Sequence, residues 1–324
     1  MVQINVITQS VQKELEAFNA LYKKALDSHI PDFQYMLDFV SGKKGKRIRP
    51  LIVLLSAKLC GEITQKTLEY AVILELLHIA TLIHDDVVDH TIERRGQPSV
   101  MAQFDNRAAV LLGDYILSQA IVRSVETENL TILKIMSGLA QNIVEGELTQ
   151  LVSSSGIIVD EMRYFDIIWK KTAVLLASCM QMGALSVNAE PEKVEILRLI
   201  GENLGICFQI KDDLFDYFEQ GNIGKPTGND IREGKITLPL IYAFNHAPKE
   251  KADSLLSIIQ KQSFSSENIQ LLTDFAKEYK GIEYAEAKME EIKTKTLHLF
   301  DKFPNSETRT ALIQLMNYII EREK

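Results

Sequence analysis

The chain has 324 residues, of which 46% are hydrophobic and 25% are charged, enough for a substantial buried core. Its net charge of −8 argues against nucleic acid as a partner, because nucleic-acid binding requires a basic surface. The three cysteines, Cys60, Cys179 and Cys207, are an odd count without a CxxC pair, which predicts reduced thiols in a cytoplasmic protein. No signal peptide is predicted, and apolar runs such as Ala71–Ile83 are too short to cross a bilayer.

Apolar residues recur every three to four positions along nearly the whole chain, which is the period of an α-helix. The predicted helices are 8–27, 31–39, 50–60, 65–91, 106–127, 130–153, 160–187, 191–218, 236–245, 250–262, 267–278, 281–301 and 307–322. Thr64 and Ser306 precede two of them as helix caps, and no alternating pattern predicts strands. Helix-breaking residues cluster at Ser41–Pro50, Arg94–Pro98, Gly221–Gly234 and Phe303–Asn305. With no low-complexity linker, the sequence predicts one all-α domain over residues 1–324.

One acidic pattern occurs twice within these helices, as DDVVD at residues 85–89 and DDLFD at residues 212–216. On an α-helix the first and last aspartates of such a motif lie one turn apart on one face. Carboxylates so close repel one another, and a divalent cation removes the repulsion. Mg²⁺ prefers oxygen ligands and commonly shares itself with phosphates, so the motifs predict a magnesium site rather than two solvated acidic faces. The candidate metal ligands are Asp85, Asp86, Asp89, Asp212, Asp213 and Asp216.

Basic residues cluster in the loops and beside the acidic motifs. They are Lys43, Lys44, Lys46, Arg47, Arg49, Arg94, Arg95, Lys170, Lys171, Lys225 and Lys235. Taken singly, each is more typical of a solvated surface charge. The segment GKKGKRIRP is a stronger indication, because its glycines let the backbone approach an anion. Together with the acidic motifs, these cations predict a diphosphate held by metal on one side and by Lys and Arg donors on the other.

Six segments, in the order in which they occur here, resemble the all-trans polyprenyl diphosphate synthase family. They are GKRIRP at 45–50, LIHDDVVDHTIERRGQPS at 82–99, GDY at 113–115, KT at 171–172, FQIKDDLFD at 208–216 and GKPTGNDIREGKITLPL at 224–240. The resemblance covers at least residues 40–240, and the later helices fit by length without a comparable signature. Lys44 departs from the pattern, since many members have a second glycine there.

The resemblance implies a fold and a reaction. The fold is an isoprenoid-synthase-type antiparallel helix bundle around a deep central cavity, forming a homodimer. The reaction is head-to-tail (1′-4) condensation of isopentenyl diphosphate onto an allylic diphosphate such as farnesyl diphosphate. About three Mg²⁺ ions per active site are implied, which stabilise charge on the departing diphosphate so that the isopentenyl double bond attacks an allylic cation. The lipid product implies peripheral contact with a membrane.

The resemblance also assigns roles to individual residues. The catalytic set is Asp85, Asp89, Asp212, Lys171 and Lys235. Isopentenyl diphosphate is assigned to Lys46, Arg49, His78 and Arg95, with Phe208 as a wall against its tail. The allylic diphosphate is assigned to Arg94, Lys171, Gln209 and Lys235, supported by Thr172, Lys211 and Lys225. Helical spacing places His78 on the face of the first motif and Gln209 on the face of the second. His84 and His90 point elsewhere and are predicted to be structural.

Two other functions, a class I terpene cyclase and a non-catalytic synthase subunit, are alternatives to this reaction. A class I terpene cyclase shares the fold and one acidic motif, but it replaces the second motif with an Asn/Ser/Glu triad and lacks GKRIRP. A non-catalytic subunit of a heteromeric synthase has degraded acidic motifs. Both motifs are intact in this chain, which disfavours both rivals.

Product length is implied by the residues that precede the first motif. In this family the positions four and five residues before its first aspartate gate the tunnel for the growing tail. Here they are Thr81 and Ala80, both small, and helical spacing places Thr81 on the face of Asp85. Met136 on the helix 130–153 is the candidate floor of the tunnel. The resemblance thus implies a long product of about C30 to C45, with octaprenyl the best single value and a farnesyl or geranylgeranyl diphosphate synthase as the alternative.

Overall fold

The three- to four-residue spacing of apolar side chains produces helices along nearly the whole described chain, which confirms the all-α prediction. The computed structural model describes residues 7–42, 45–94, 96–155, 159–218 and 228–322. Arg95 and Lys225, two of the predicted substrate-binding residues, lie outside this described part.

The helices of the described chain, in order, have the following bounds. The first eight are α1 (Gln12–Ala25), α2 (Pro31–Ser41), α3 (Ile48–Cys60), α4 (Gln65–Val88), α5 (Val100–Gln103), α6 (Asn106–Glu126), α7 (Leu130–Ser155) and α8 (Glu161–Ile168). The others are α9 (Val174–Ser186), α10 (Pro191–Phe215), α11 (Asn229–Arg232), α12 (Leu238–His246), α13 (Lys249–Gln260), α14 (Ser266–Glu278), α15 (Gly281–Phe300) and α16 (Glu307–Glu321). A short 3₁₀ turn, Gln9–Val11, precedes α1.

Helix α9 forms the centre of the bundle. Nearly all of its residues are apolar and buried, and a helix that is apolar on every side must be enclosed by others. It packs against α3 and α4 on one side and α10 on the other. Close approach to α10 requires glycine, since a Cβ at Gly201 would lie 2.5 Å from the carbonyl oxygen of Leu176. The two helices that carry the acidic motifs, α4 and α10, therefore both pack on one central helix.

Both acidic motifs lie at the C-terminal ends of their helices. Helix α4 ends at Val88 and α10 at Phe215, so Asp89 and Asp216 are the first residues beyond each helix. The predicted helices 65–91 and 191–218 were each three residues too long. The C-terminal end of a helix carries the negative end of its dipole, which disfavours carboxylates there. Each motif therefore places its carboxylates where the helix dipole already contributes partial negative charge.

Two local predictions were wrong. The predicted helix 160–187 contains a wider π-helical turn at Trp169–Ala173, between α8 and α9, which periodicity alone does not reveal. The loop Arg94–Pro98 pairs as a minimal antiparallel ribbon, β1 (Glu93–Arg94) with β2 (Gln97–Pro98), although no strand was predicted. Gly96 permits this tight reversal because its φ is +74°, in the left-handed region that glycine adopts freely.

One helix of the described chain, α6, is long and apolar enough to cross a membrane when judged by length and composition alone. Such a test is weak by itself, since core helices of soluble proteins also pass it. Only 33% of its most apolar stretch is buried within this chain.

Candidate active site

The first acidic motif occupies the last turn of α4. Asp85 is half-buried, and its pKa is raised to about 6, first because burial disfavours the charged carboxylate and then because Glu147 lies nearby. Asp86 is almost fully buried, and its Oδ1 accepts a hydrogen bond from Nε of Arg94 at 2.6 Å. Asp89 is exposed. Asp85 and Asp89 can therefore face a cation, whereas Asp86, predicted as a metal ligand, is an ion-pair partner of Arg94.

The middle aspartate of the second motif is enclosed by neutral donors. The hydroxyl of Tyr164 donates to Oδ2 of Asp213 at 2.7 Å, and Nε2 of Gln209 donates to Oδ1 at 2.8 Å. Burial, followed by the nearby carboxylate of Asp230, raises the pKa of Asp213 from 3.8 to about 8. Asp213 was predicted as a metal ligand, but both of its oxygens are occupied inside the protein.

The two outer aspartates of the second motif have different partners. The guanidinium of Arg322, just beyond α16, binds the carboxylate of Asp212. Asp216 accepts the backbone N–H groups of Asn229 at 2.8 Å and Asp230 at 2.9 Å, and so anchors the start of α11. Asp212 is therefore the carboxylate of this motif that already binds a cation, while Asp216 holds a loop in place.

The π turn carries the KT pair between α7 and α10. Nζ of Lys171 lies 2.6 Å from Oε1 of Glu147 and donates to Oε1 of Gln150 at 3.0 Å. The hydroxyl of Thr172 donates to Oε1 of Gln209 at 2.9 Å. Thr172 thereby fixes the amide that donates to Asp213, and the pair connects α10, which carries the second acidic motif, with α7.

A cavity of about 890 Å³ opens beside both motifs. Its cationic lining residues are Lys46, Arg47, Arg49, Arg94 and Arg322. Its other lining residues include His78 and Phe208, with Ile79, Leu82, Ile83 and Leu176 as an apolar wall. Nζ of Lys46 donates to the hydroxyl of Tyr318 at 2.6 Å, and the guanidinium of Arg322 lies 4.0 Å from the ring centroid of Phe208. The structure thus brings the described residues assigned to isopentenyl diphosphate into one cavity with a basic and an apolar side.

A second cavity, of about 190 Å³, lies between α8 and the segment that follows α11. Lys171, Gln209 and Lys235, three of the residues assigned to the allylic diphosphate, line it together with Arg163. Nζ of Lys235 lies 2.6 Å from Oε2 of Glu233. Arg94 and Thr172, assigned to the same substrate, line the larger cavity instead.

The donor chemistry of this region fits a hard divalent cation. Asp85, Asp89 and Asp212 offer only carboxylate oxygen, and they stand at the negative ends of two helix dipoles. Burial first, and then the carboxylate of Glu147, raises the pKa of Asp85, so the charged carboxylate is disfavoured when no cation faces it. Within the described residues, no three His, Cys, Asp or Glu side chains form a metal-binding group by themselves.

The three predicted chain-length residues lie on α4 and α7. Ala80 and Met136 are buried, and Thr81 is half-buried with its hydroxyl donating to the carbonyl oxygen of His78 at 2.9 Å. None of the three lines either of the two described cavities, so the gate stays a prediction. His84, predicted to be structural, lies 3.3 Å from Oδ1 of Asp114.

Several residues of the site were missed at the level of sequence. They are Glu75, Glu147, Gln150, Tyr164, Asp230, Tyr318 and Arg322. Glu147 and Gln150 had a usable signal, because they are polar residues three apart within an apolar helix. Tyr318 and Arg322 are four apart on the last helical pattern, but nothing local distinguishes them from surface residues.

Comparison with known proteins agrees with the family indicated by the motifs. The model of the polyprenyl synthetase family matches residues 31–275. The octaprenyl diphosphate synthase of Escherichia coli (strain K12) is 31% identical over 319 residues, which is 98% of this chain and 98% of its own.

Two solved structures have the same fold over nearly the full length. The decaprenyl diphosphate synthase from Rhodobacter capsulatus has a TM-score of 0.93 at 30% identity, covering 99% of this chain and 100% of its own. The geranylgeranyl pyrophosphate synthase from Bacteroides thetaiotaomicron has a TM-score of 0.84 at 39% identity, covering 98% and 99%. The names of these relatives differ in product length, so similarity alone does not set it.

Proposed function

Since the chain belongs to the polyprenyl synthetase family and is therefore a prenyltransferase, we propose that it condenses isopentenyl diphosphate head-to-tail onto an allylic diphosphate, giving a long all-trans polyprenyl diphosphate. The observation that carries the proposal is the junction of two acidic helix ends with a cavity that is basic on one side and apolar on the other. The acidic helix ends and the basic side suit a diphosphate with its metal ions, and the apolar side suits a prenyl chain.

The residues divide the work between the two substrates. Lys46, Arg49 and His78 hold isopentenyl diphosphate, and Lys171, Gln209 and Lys235 hold the allylic diphosphate. The family uses a divalent metal, which we take to be Mg²⁺. About three ions would be held by Asp85, Asp89 and Asp212. When bound, the metal would stabilise the charge of the leaving diphosphate. The apolar wall of the larger cavity keeps water from the allylic cation, and the released diphosphate takes the proton.

For product length we propose about C30 to C45, with octaprenyl as the best single value. Support comes from the octaprenyl relative at 31% identity and from the small side chains of Ala80 and Thr81. The geranylgeranyl pyrophosphate synthase relative, at 39% identity, favours a C20 product as the second candidate.

The test supplies the purified chain with Mg²⁺, isopentenyl diphosphate and farnesyl diphosphate, and reads the products by mass spectrometry. Linear products of about C30 to C45 support the long-chain proposal, and a product that stops at C20 supports the second candidate. Cyclic hydrocarbon, or no product, would overturn the proposed reaction. An Ala80→Phe variant should shorten the product to about C15–C20, whereas Met136→Ala should lengthen it.

We further propose a homodimer formed through one exposed apolar face. The large exposed apolar residues of α6 are Val110, Leu111, Ile121, Val122 and Val125, and those of α7 are Leu130, Val144, Leu148, Leu151 and Val152. These two helices pack against each other, and exposed apolar residues on neighbouring helices are typical of an interface.

The proposed location is the cytoplasm, with peripheral membrane contact through the lipid product. All three cysteines are free, and burial raises the pKa of each thiol, which suits a reducing compartment.

A further inference from the structure

Arg47 is the residue of the GKRIRP segment that the proposed site leaves without a role, although it lies between Lys46 and Arg49. We propose that Arg47 is a positioning residue, whose ion pair with the buried carboxylate of Glu75 holds this segment so that Lys46 and Arg49 both face isopentenyl diphosphate. The inference rests on the proposed function and adds the element that shapes its isopentenyl diphosphate site.

The side chain of Arg47 contacts two helices other than α3, the helix that it precedes. Nη1 donates to Oε1 of Glu75 on α4 at 2.8 Å, and Glu75 is only 5% exposed. The guanidinium carbon lies 4.6 Å from the ring centroid of Tyr22 on α1. A planar guanidinium that both hydrogen-bonds a carboxylate and lies over an aromatic ring has little freedom left. Arg47 therefore fixes the start of α3 against α1 and α4.

The backbone at Arg47 has an unusual conformation that needs such support. Its φ is 48° and its ψ is 38°, in the left-handed region, directly before the first residue of α3. Few non-glycine residues adopt this region, and they persist there when surrounding contacts hold them. The carbonyl oxygen of Arg47 also accepts the N–H of Leu51 at 3.1 Å. The reversal at Arg47 thus sets the directions in which the neighbouring side chains leave the chain.

Those neighbouring side chains reach the diphosphate region. Lys46, Arg49 and Glu75 line the same cavity of about 890 Å³, and Nζ of Lys46 is oriented by the hydroxyl of Tyr318. Glu75 also precedes His78 by three residues, so the two share a face of α4. Loss of Arg47 would leave a buried carboxylate in the wall of an anion site, where it would repel a diphosphate.

The pair is thus suited to positioning rather than to binding substrate. The guanidinium of Arg47 donates to a carboxylate inside the protein, whereas Lys46 is exposed and its Nζ donates to the hydroxyl of Tyr318. If Arg47 acted solely on stability, removing both charges together would restore the fold and the kinetics alike. If it positions the segment, that double change would restore the fold and leave binding of isopentenyl diphosphate impaired.

The experiment compares wild type with Arg47→Met, Glu75→Met and the double variant Arg47→Met/Glu75→Met. The double variant should have a melting temperature close to wild type, because no buried charge is left without a partner. Its KM for isopentenyl diphosphate should rise at least about tenfold, as expected when charged phosphate contacts are displaced. Its KM for farnesyl diphosphate should stay within about twofold, since Lys171 and Lys235 are untouched. Arg47→Lys should recover part of the loss.

A matched control is available on the same helix. Arg123 pairs with the half-buried Glu69 of α4 at 3.3 Å, so Arg123→Met/Glu69→Met removes another Arg–Glu pair of this helix, far from GKRIRP in sequence. This control should leave both KM values unchanged. Hydrogen exchange of the backbone amides at 45–49 gives a second readout that needs no turnover, and exchange should accelerate in the Arg47 variants only.

The possible results separate the two proposals. A double variant with wild-type KM for isopentenyl diphosphate and wild-type exchange at 45–49 overturns the positioning role. Equal rises of KM for both substrates also overturn it. Wild-type protein that forms no prenyl product overturns the proposed reaction instead, and the exchange measurement still decides whether Arg47 and Glu75 hold the segment.

Discussion

Asp86 and Asp213 occupy equivalent positions in the two acidic motifs, yet their charges are handled differently. Asp86 binds the permanently charged guanidinium of Arg94, whereas Asp213 is surrounded by the neutral donors Tyr164 and Gln209. Burial dominates at Asp213 and raises its pKa from 3.8 to about 8. The folded, metal-free protein therefore keeps a proton on Asp213 at neutral pH, which the unfolded chain releases.

This difference predicts a pH dependence of stability. Between pH 3.8 and about 8 the folded state binds more protons at Asp213 than the unfolded state, so the free energy of unfolding falls as pH rises through that window. Asp85 and Asp230, with pKa values raised to about 6, contribute with the same sign up to that pH. Asp213→Asn should remove the decline between pH 6 and 8, as measured by urea denaturation in the presence of a chelator. A variant curve parallel to wild type would contradict the assignment.

Asp85 is expected to be essential for turnover but not for folding. Metal stabilisation of a leaving group is worth several kcal/mol, so Asp85→Ala should lower kcat by about 10³-fold or more. The metal-free variant should melt at or above the wild-type temperature, because the change removes a half-buried carboxylate that burial and then Glu147 destabilise. Asp274→Ala, an exposed aspartate on α14, serves as the control and should be unchanged. If Asp85→Ala kept turnover within about tenfold, its role would be misassigned.

Residues of the motifs were predictable from the sequence, but their partners were not. The spacing DDxxD and the KT pair are local patterns that chemistry imposes on neighbouring positions. Arg322 reaches Asp212 across 110 positions, and Tyr164 reaches Asp213 across 49. Contacts of that separation leave no local pattern, so only the fold reveals them.

Among the elements, the π turn Trp169–Ala173 is the feature that most directly shapes the site. Helical periodicity predicted one helix over 160–187, and α8, the π turn and α9 do follow one another without a break. Periodicity did not predict the wider turn, because a single π turn changes the spacing of apolar residues too little to be seen in the sequence. Within this turn, Lys171 contacts α7 and Thr172 contacts α10.

Gly205 of α10 lies directly against this turn, which gives a test of its importance. A Cβ at position 205 would overlap the backbone of Ala173, so Gly205→Ala should lower the free energy of unfolding by about 1–3 kcal/mol. It should also raise the KM for farnesyl diphosphate, because Lys171 and Thr172 move with the turn. Gly138→Ala on α7 is the control, since nothing lies within 4 Å of its added Cβ, and it should stabilise by about 0.5–1 kcal/mol. Equal effects from the two substitutions, measured by denaturation and kinetics, would argue against the turn as a positioning element.

At the scale of the whole molecule, the exposed apolar face of α6 and α7 predicts that the chain does not act alone. Leu111→Glu/Leu148→Glu places two charges on that face. Leu111 and Leu148 are 67% and 58% exposed, so the substitutions should change the stability of the single chain little. In analytical ultracentrifugation, wild type should sediment as a dimer and the variant as a monomer. Leu271→Glu, on exposed apolar surface of α14, should not change the assembly. A wild-type monomer, or a variant that stays dimeric, would exclude this face as the interface.

Helix α16 closes the site from the far end of the chain, and this has a consequence for when the protein becomes active. Tyr318 holds Lys46 across 272 positions, and Arg322 holds Asp212 across 110. Synthesis proceeds from the N-terminus, so the earlier segments emerge before α16 does. The GKRIRP segment and the second acidic motif therefore lack these partners until α16 and Arg322 have been synthesised. Assembly of the complete site therefore requires synthesis through α16 and Arg322.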